Sequence, residues 1–104
     1  MSPDQLILNP SNYASGELAG SATAVQMPNL ACRMVVFKAK NDNTGQVYIG
    51  ASSGVTVADN ATDTTTGLEL NAKELTPWLP CLNLNQFWRI GSDANQRLIY
   101  LALL

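Results

Sequence analysis

Apolar and polar positions along this chain alternate with a period of two, in short runs broken by Asn, Asp, Ser, Thr, Gly and Pro. The clearest run is Cys32-Arg33-Met34-Val35-Val36-Phe37-Lys38-Ala39-Lys40. A polar turn follows, Asn41-Asp42-Asn43-Thr44-Gly45, and then a second arm, Gln46-Val47-Tyr48-Ile49-Gly50. β-branched and aromatic residues fill both arms, and the linker holds residues that tolerate tight turns, so the stretch predicts a central β-hairpin. In the first arm Val35, Phe37 and Ala39 fall on one face and Cys32, Met34 and Val36 on the other. Both faces are apolar at mid-strand, which places this strand inside a sandwich or between partners and not on a wet edge.

The remaining elements follow from the same pattern. Residues 5–8 form a short apolar strand stopped by Asn9-Pro10, and residues 11–20, punctuated by Gly16 and Gly20, predict a loop or an extended arm. Residues 21–27 alternate before Pro28-Asn29 turns the chain. Val55 and Val57 predict a short edge strand, and the Thr-rich stretch 59–66 has almost nothing to bury, so it predicts an exposed loop. Gly67-Leu68-Glu69-Leu70 begins another strand, and Ala72-Lys73-Glu74 is a turn. Residues 74–79 continue as a strand with Thr76 and Trp78 on one face; Pro77 and Pro80 push it to an edge, because proline gives no ladder donor. Residues 81–86 connect to the strand Phe87-Trp88-Arg89-Ile90-Gly91, residues 92–96 read as a hairpin loop, and residues 97–103 close the chain as a strand. About eight short strands and no sustained helical period predict an all-β protein, a small antiparallel β-sandwich or flattened barrel. Residues 21–104 make one domain, preceded by an N-terminal strand or arm over residues 1–20.

Composition sharpens this. Of the 104 residues, 46% are hydrophobic, which excludes a disordered chain. Only 13% are charged, about half the usual share. Either other subunits cover part of the surface, or the surface is neutral and rich in Asn, Thr and Ser. The net charge is −2 and the basic residues are scattered, which argues against nucleic-acid binding. Residues 6–8 are too short for the core of a signal peptide, and the apolar run 98–104 is too short to cross a bilayer as a helix, so no membrane role is expected. Cys32 and Cys81 read as two buried free thiols, with one disulfide as the alternative.

The chain contains no histidine, which removes the commonest general base and metal ligand. No Ser-His-Asp or Cys-His arrangement can be assembled, and the two cysteines form no CxxC pair. Glu69 with Glu74 is the nearest approach to an acid pair, and Asp59-Asn60-Ala61-Thr62-Asp63 only faintly resembles the start of a calcium loop. Trp78, Phe87, Trp88 and Tyr100 read first as core or subunit contacts and second as a ligand platform. No catalytic residue, metal or cofactor is expected.

The motifs also stand in a distinctive order. Ala24-Val25-Gln26-Met27-Pro28 leads into the strand 32–39, and Asn43-Thr44-Gly45-Gln46-Val47-Tyr48-Ile49-Gly50 follows. Thr65-Thr66-Gly67-Leu68-Glu69-Leu70, Asn83-Leu84-Asn85, Phe87-Trp88-Arg89-Ile90-Gly91-Ser92 and Tyr100-Leu101-Ala102 complete the series. This order resembles that of small β-rich virion proteins of tailed bacteriophages. Two stretches depart from the group. Asn71-Ala72-Lys73-Glu74 stands where a more acidic, glycine-containing turn is common, and Pro77-Trp78-Leu79-Pro80-Cys81 is unusually apolar. The resemblance implies a structural protein of the virion, first a capsid decoration (cement) subunit that binds the assembled shell. A tail, neck or fibre component acting as an adaptor or as a receptor- or glycan-binding module is the alternative. It implies the major capsid protein or other virion proteins as partners, a homo-oligomer with a trimer favoured, and a place on the capsid surface after assembly in the host cytoplasm. Leu6, Ile7, Leu8, Trp78, Leu79 and Trp88 are the candidate interface residues.

Overall fold

The structure, a computed structural model, describes residues 12–58, 60 and 62–104. Alternation buries every second side chain of the run 34–39, and the described residues form eight strands. They are β1 (Tyr13–Leu18), β2 (Val25–Gln26), β3 (Met34–Ala39), β4 (Val47–Gly50), β5 (Leu68–Leu70), β6 (Leu79–Pro80), β7 (Trp88–Gly91) and β8 (Leu98–Leu103). Two four-stranded antiparallel sheets result, ordered β1-β8-β3-β6 and β2-β7-β4-β5. The core lies between them, with Val35, Phe37, Leu98 and Ala102 of the first sheet facing Val47, Ile49 and Leu70 of the second. Phe37 meets Phe87 edge-to-face at 5.5 Å between ring centroids. Among the described residues no helix is long and apolar enough to cross a membrane.

The all-β sandwich agrees with the alternation, but the connectivity differs from the hairpins it suggested. The turn 41–45 does not join paired strands. β3 pairs with β8 along all six of its residues and with β6 on its other edge, while β4 lies in the opposite sheet between β5 and β7. The loop 92–96 likewise carries the chain from β7 in one sheet to β8 in the other. Both turns are arches. An arch sets the apolar faces of its two strands against each other across the core, whereas a hairpin would lay them side by side in one sheet.

The two arches lie against each other and are joined by polar side chains. Gln96 is only 2% exposed. Its Oε1 accepts the Gly45 N–H at 2.7 Å, and its Nε2 donates to Thr44 Oγ1 at 3.1 Å and to the Asp93 carboxylate at 2.9 and 3.1 Å. Asn43 adds a reciprocal pair with Arg97: its Nδ2 donates to the Arg97 carbonyl at 2.8 Å, and its Oδ1 accepts the Arg97 N–H at 2.8 Å. Ser92 Oγ accepts the Gln46 N–H at 3.1 Å. Gly45 is required by close approach, since a Cβ there would collide with Ser92 Oγ.

Three further expectations are corrected. Residues 13–18, read as part of a loop or arm, are a strand paired with β8 from Tyr13↔Leu103 to Leu18↔Leu98. Gly16 makes this possible by leaving room for the Tyr100 ring, which comes within 3.1 Å of where its Cβ would stand. Val55 and Val57 form no strand. Instead the described part of the loop 51–67 folds over the second sheet: buried Val55 presses on Gly50 and Gly67, and the Tyr48 hydroxyl donates to the Ala58 carbonyl at 2.8 Å. The connector 81–86 ends in a short 3-10 helix, Leu84–Gln86, capped by Asn83, whose side chain accepts the Asn85 N–H while Gln86 reaches back to the Asn83 N–H. The strand expected over residues 74–79 is also corrected: only Leu79–Pro80 is strand, at the edge of its sheet as the prolines require, and Leu75 meets Lys38 through a single isolated bridge. Just before β6, Thr76 replaces a ladder bond by accepting the Phe37 N–H through its hydroxyl at 3.0 Å.

Two variants test this account. Gln96→Ala strands the Gly45 N–H and removes a buried amide, and should cost about 2–4 kcal/mol in urea unfolding with an unchanged m-value. Lys73 adopts φ 73° in the tight turn where Glu74 N–H donates to Asn71 O at 3.0 Å. Lys73→Gly should therefore raise stability by up to about 1 kcal/mol, and Lys73→Val should lower it by about 1–2 kcal/mol, in the same assay.

Candidate functional site

The outer faces of the two sheets are not equivalent. On the second sheet, Tyr48 faces outward yet is fully buried beneath the loop 51–67. On the first sheet alternation sends Met34 and Val36 of β3, and Ile99, Leu101 and Leu103 of β8, to the outer side, and these residues are half-buried or exposed. The strand register stacks them into rows: Tyr13, Leu103 and Met34 in one, Ser15, Leu101 and Val36 in the next, Glu17, Ile99 and Lys38 in the third. Leu75 and Trp78 extend the face toward the β6 edge and are 60% and 44% exposed. Among the described residues no segment of the chain lies over these rows in the way the loop 51–67 lies over Tyr48.

Two shallow depressions mark the face. One, of about 250 Å³, is lined by Tyr13, Met34, Trp78 and Leu103. The other, of about 210 Å³, includes Val36, Lys38, Leu75, Ile99 and Leu101. Charge enters the face along its third row, where Lys38 stands between Ile99 and Leu75, and at the margin beyond it, where Lys40 Nζ pairs with Glu17 Oε1 at 2.6 Å and Arg97 stands 3.7 Å from the other oxygen. The Lys40 hydrogen bond holds the Glu17 carboxyl below the usual carboxylate range.

The candidate interface residues separate. Trp78 is on this face. Leu79 is half-buried and packs inward against the core. Trp88 lies half-buried on β7 of the other sheet, opposite Gly50, so the two tryptophans do not share a surface. Leu6, Ile7 and Leu8 lie outside the described residues. Met34, Leu101 and Leu103 are additions, and beside them stands Tyr13, which the glycan-binding alternative counts with Trp78 and Trp88 as a stacking platform. The signal of the three additions lies in the sequence, since the strands 34–39 and 98–103 are apolar on both faces.

Chemistry converges little. Glu74 Oε1 accepts the Asn71 N–H at 2.6 Å, so it serves its turn, and Glu69 stands on β5 opposite Tyr48. No group of three or more His, Cys, Asp or Glu side chains placed to hold a metal occurs among the described residues. Asp59 and Ala61 of the faint calcium-like stretch lie outside them; the side-chain Oδ1 of Asn60 accepts the Thr62 and Asp63 N–H groups, each at 3.0 Å. Of the four aromatics read as a platform, Phe87 and Tyr100 pack against the core.

A further cavity, about 650 Å³ and open to solvent, is lined by Arg33, Ala51, Pro80, Cys81, Leu82, Gln86 and Phe87. Cys32 and Cys81 are free thiols with their sulfurs 3.1 Å apart. Burial, reinforced by the Cys32 thiol, pushes the Cys81 thiol up to about 12. Comparison with protein-family models, curated proteins and solved structures finds no match in any of the three.

The Cys81 environment carries a pH dependence. The folded state keeps this thiol neutral while the unfolded chain ionises it at its ordinary value of 9.0, so the folded state binds more protons between 9.0 and about 12. Stability should therefore fall with rising pH above 9.0. Cys81→Ala should flatten that part of the wild-type profile of unfolding midpoint against pH.

Proposed function

We propose that this chain is a structural subunit that works through the outer face of its first sheet, and that its scaffold is a bacteriophage virion, with the capsid surface as its seat. The observation that carries this reading is the contrast between the two outer faces: one is covered by its own loop, while the other leaves Met34, Val36, Leu101, Leu103, Leu75 and Trp78 toward solvent. A contiguous, largely apolar face is the usual form of a protein contact. The resemblance of the motifs to small virion proteins supplies the scaffold. A decoration subunit binds the assembled shell and not its separated parts, so its binding stabilises the shell by mass action. Repetition by symmetry lets weak contacts suffice, and self-association into a trimer belongs to the same reading.

A second reading has one observation in its favour. Tyr13 and Trp78 flank the same depression, and aromatic rings set at a shallow cleft are platforms for sugar rings. This would be a receptor- or glycan-binding module in a tail, neck or fibre.

The decoration reading expects the protein to co-purify with washed particles at a copy number set by capsid symmetry, counted by mass spectrometry. Leu101→Lys replaces a residue already 37% exposed. It should leave the melting temperature nearly unchanged yet weaken particle binding at least about ten-fold, because it buries an unpaired charge in the contact. Absence from washed particles, or unchanged binding by the variant, would count against the reading. Tryptophan emission that shifts on adding sugars would favour the glycan module.

A further inference from the structure

We propose that Cys32 and Cys81 are a paired dithiol that closes into an intramolecular disulfide and thereby locks the β6 edge of the first sheet onto β3. The proposal rests on local geometry and is independent of the virion reading.

The main chain already holds the two residues in place. The Cys32 N–H donates to the Leu82 carbonyl at 3.2 Å, and the Cys81 N–H donates to the Arg33 carbonyl at 3.0 Å. The sulfurs stand 3.1 Å apart across this junction, so no strand has to move for them to meet. Their access to solvent differs. Cys32 is buried, whereas Cys81 is half-buried and lines the open cavity with Arg33, Gln86 and Phe87. A reagent therefore reaches Cys81 first, and Cys32 is placed to resolve what forms there.

A small-molecule disulfide, such as oxidised glutathione, is a sufficient oxidant. The Cys81 thiolate attacks one sulfur of that disulfide; a Cys81 mixed disulfide forms and one thiolate leaves. The Cys32 thiolate then attacks the Cys81 sulfur, the protein disulfide forms, and the second thiolate leaves. The two cysteines lose two electrons and two protons, and the reagent becomes two thiols. Burial of Cys81 keeps its thiolate scarce, so closure is slow at neutral pH and faster in alkali.

The link would act where the sheet is weakest. β6 pairs with β3 through two residue positions only, Met34↔Pro80 and Val35↔Leu79, and Pro80 has no N–H to donate. A covalent tie beside Pro80 would hold this edge, and Trp78 with it, by restricting the unfolded chain between two cysteines 49 positions apart.

The test incubates the folded protein with oxidised glutathione in alkaline buffer without denaturant. The expected product is a monomer lighter by two hydrogen atoms, with both cysteines closed to alkylation. Its melting temperature should be raised by at least about 5 °C and restored by dithiothreitol. Cys32→Ala and Cys81→Ala should each abolish the shift; Cys81→Ala, at the less buried position, serves if the other variant does not fold. A glutathione adduct that persists on Cys81, a disulfide-linked dimer, thiols that stay reduced while the urea-unfolded chain oxidises in the same buffer, or closure without a rise in melting temperature would each overturn the proposal.

Discussion

A single buried amide holds together two of the turns where the chain changes sheets, the arches between β3 and β4 and between β7 and β8. In a hairpin the backbone groups of the turn are met by the neighbouring strand. In an arch the two strands diverge into different sheets, so the turn must find other partners or leave polar groups buried and unpaired, which is costly. Gln96 supplies both kinds of partner at once, accepting from Gly45 in the first arch and donating to Thr44 and Asp93. Because the two arches solve the problem jointly, the register of β3 with β8 is fixed where they meet: the Lys40 N–H donates to the Arg97 carbonyl at 3.1 Å, one position beyond the Ala39↔Leu98 pair. That register decides which side chains of both strands face the core and which face out.

The apolar outer surface follows from this arrangement. With β3 and β8 central in the first sheet, their inward residues fill the sandwich, and their outward residues have no layer above them among the described residues. The second sheet meets the same difficulty at Tyr48 and solves it with its own chain, using Val55 as a plug and the Ala58 carbonyl as the partner of the Tyr48 hydroxyl. Gly50 and Gly67 let the plug approach, since a Cβ at either would lie 2.6 or 2.7 Å from a Val55 carbon. The loop 51–67 is thus a piece of core packing despite its polar composition.

The strand content was legible in the sequence because period-two alternation survives whatever the connectivity. The edge position of β6 was legible too, because Pro77 and Pro80 cannot donate. Sheet membership was not. Asn43-Thr44-Gly45 and Ser92-Asp93-Ala94 suit a hairpin and an arch equally well, and what separates the two is a contact between Gln96 and Gly45 across 51 positions. β1 was hidden for another reason. Ala14, Ser15 and Gly16 have weak strand propensity, and the strand forms because β8 presents a complete edge and Tyr100 needs the space over Gly16. Of the candidate interface residues, Trp78 stands on the outer face of the first sheet, Leu79, one register step on, packs inward, and Trp88 lies in the other sheet, a placement that depends on sheet membership and not on alternation.

The β6 edge also constrains how a partner can meet the first sheet. A sheet can be extended by a neighbour only where an edge strand offers free donors and acceptors. Along this edge Pro77 and Pro80 have no N–H, and the Thr76 N–H is already spent on the Phe37 carbonyl at 2.8 Å. Strand addition at this side is therefore disfavoured. What remains available there is the side-chain surface, where Trp78 and Leu75 continue the rows begun by Met34, Val36, Leu101 and Leu103. Contact through side chains selects a partner by shape and apolar complementarity, and it blocks the open-ended stacking that a bare edge would invite.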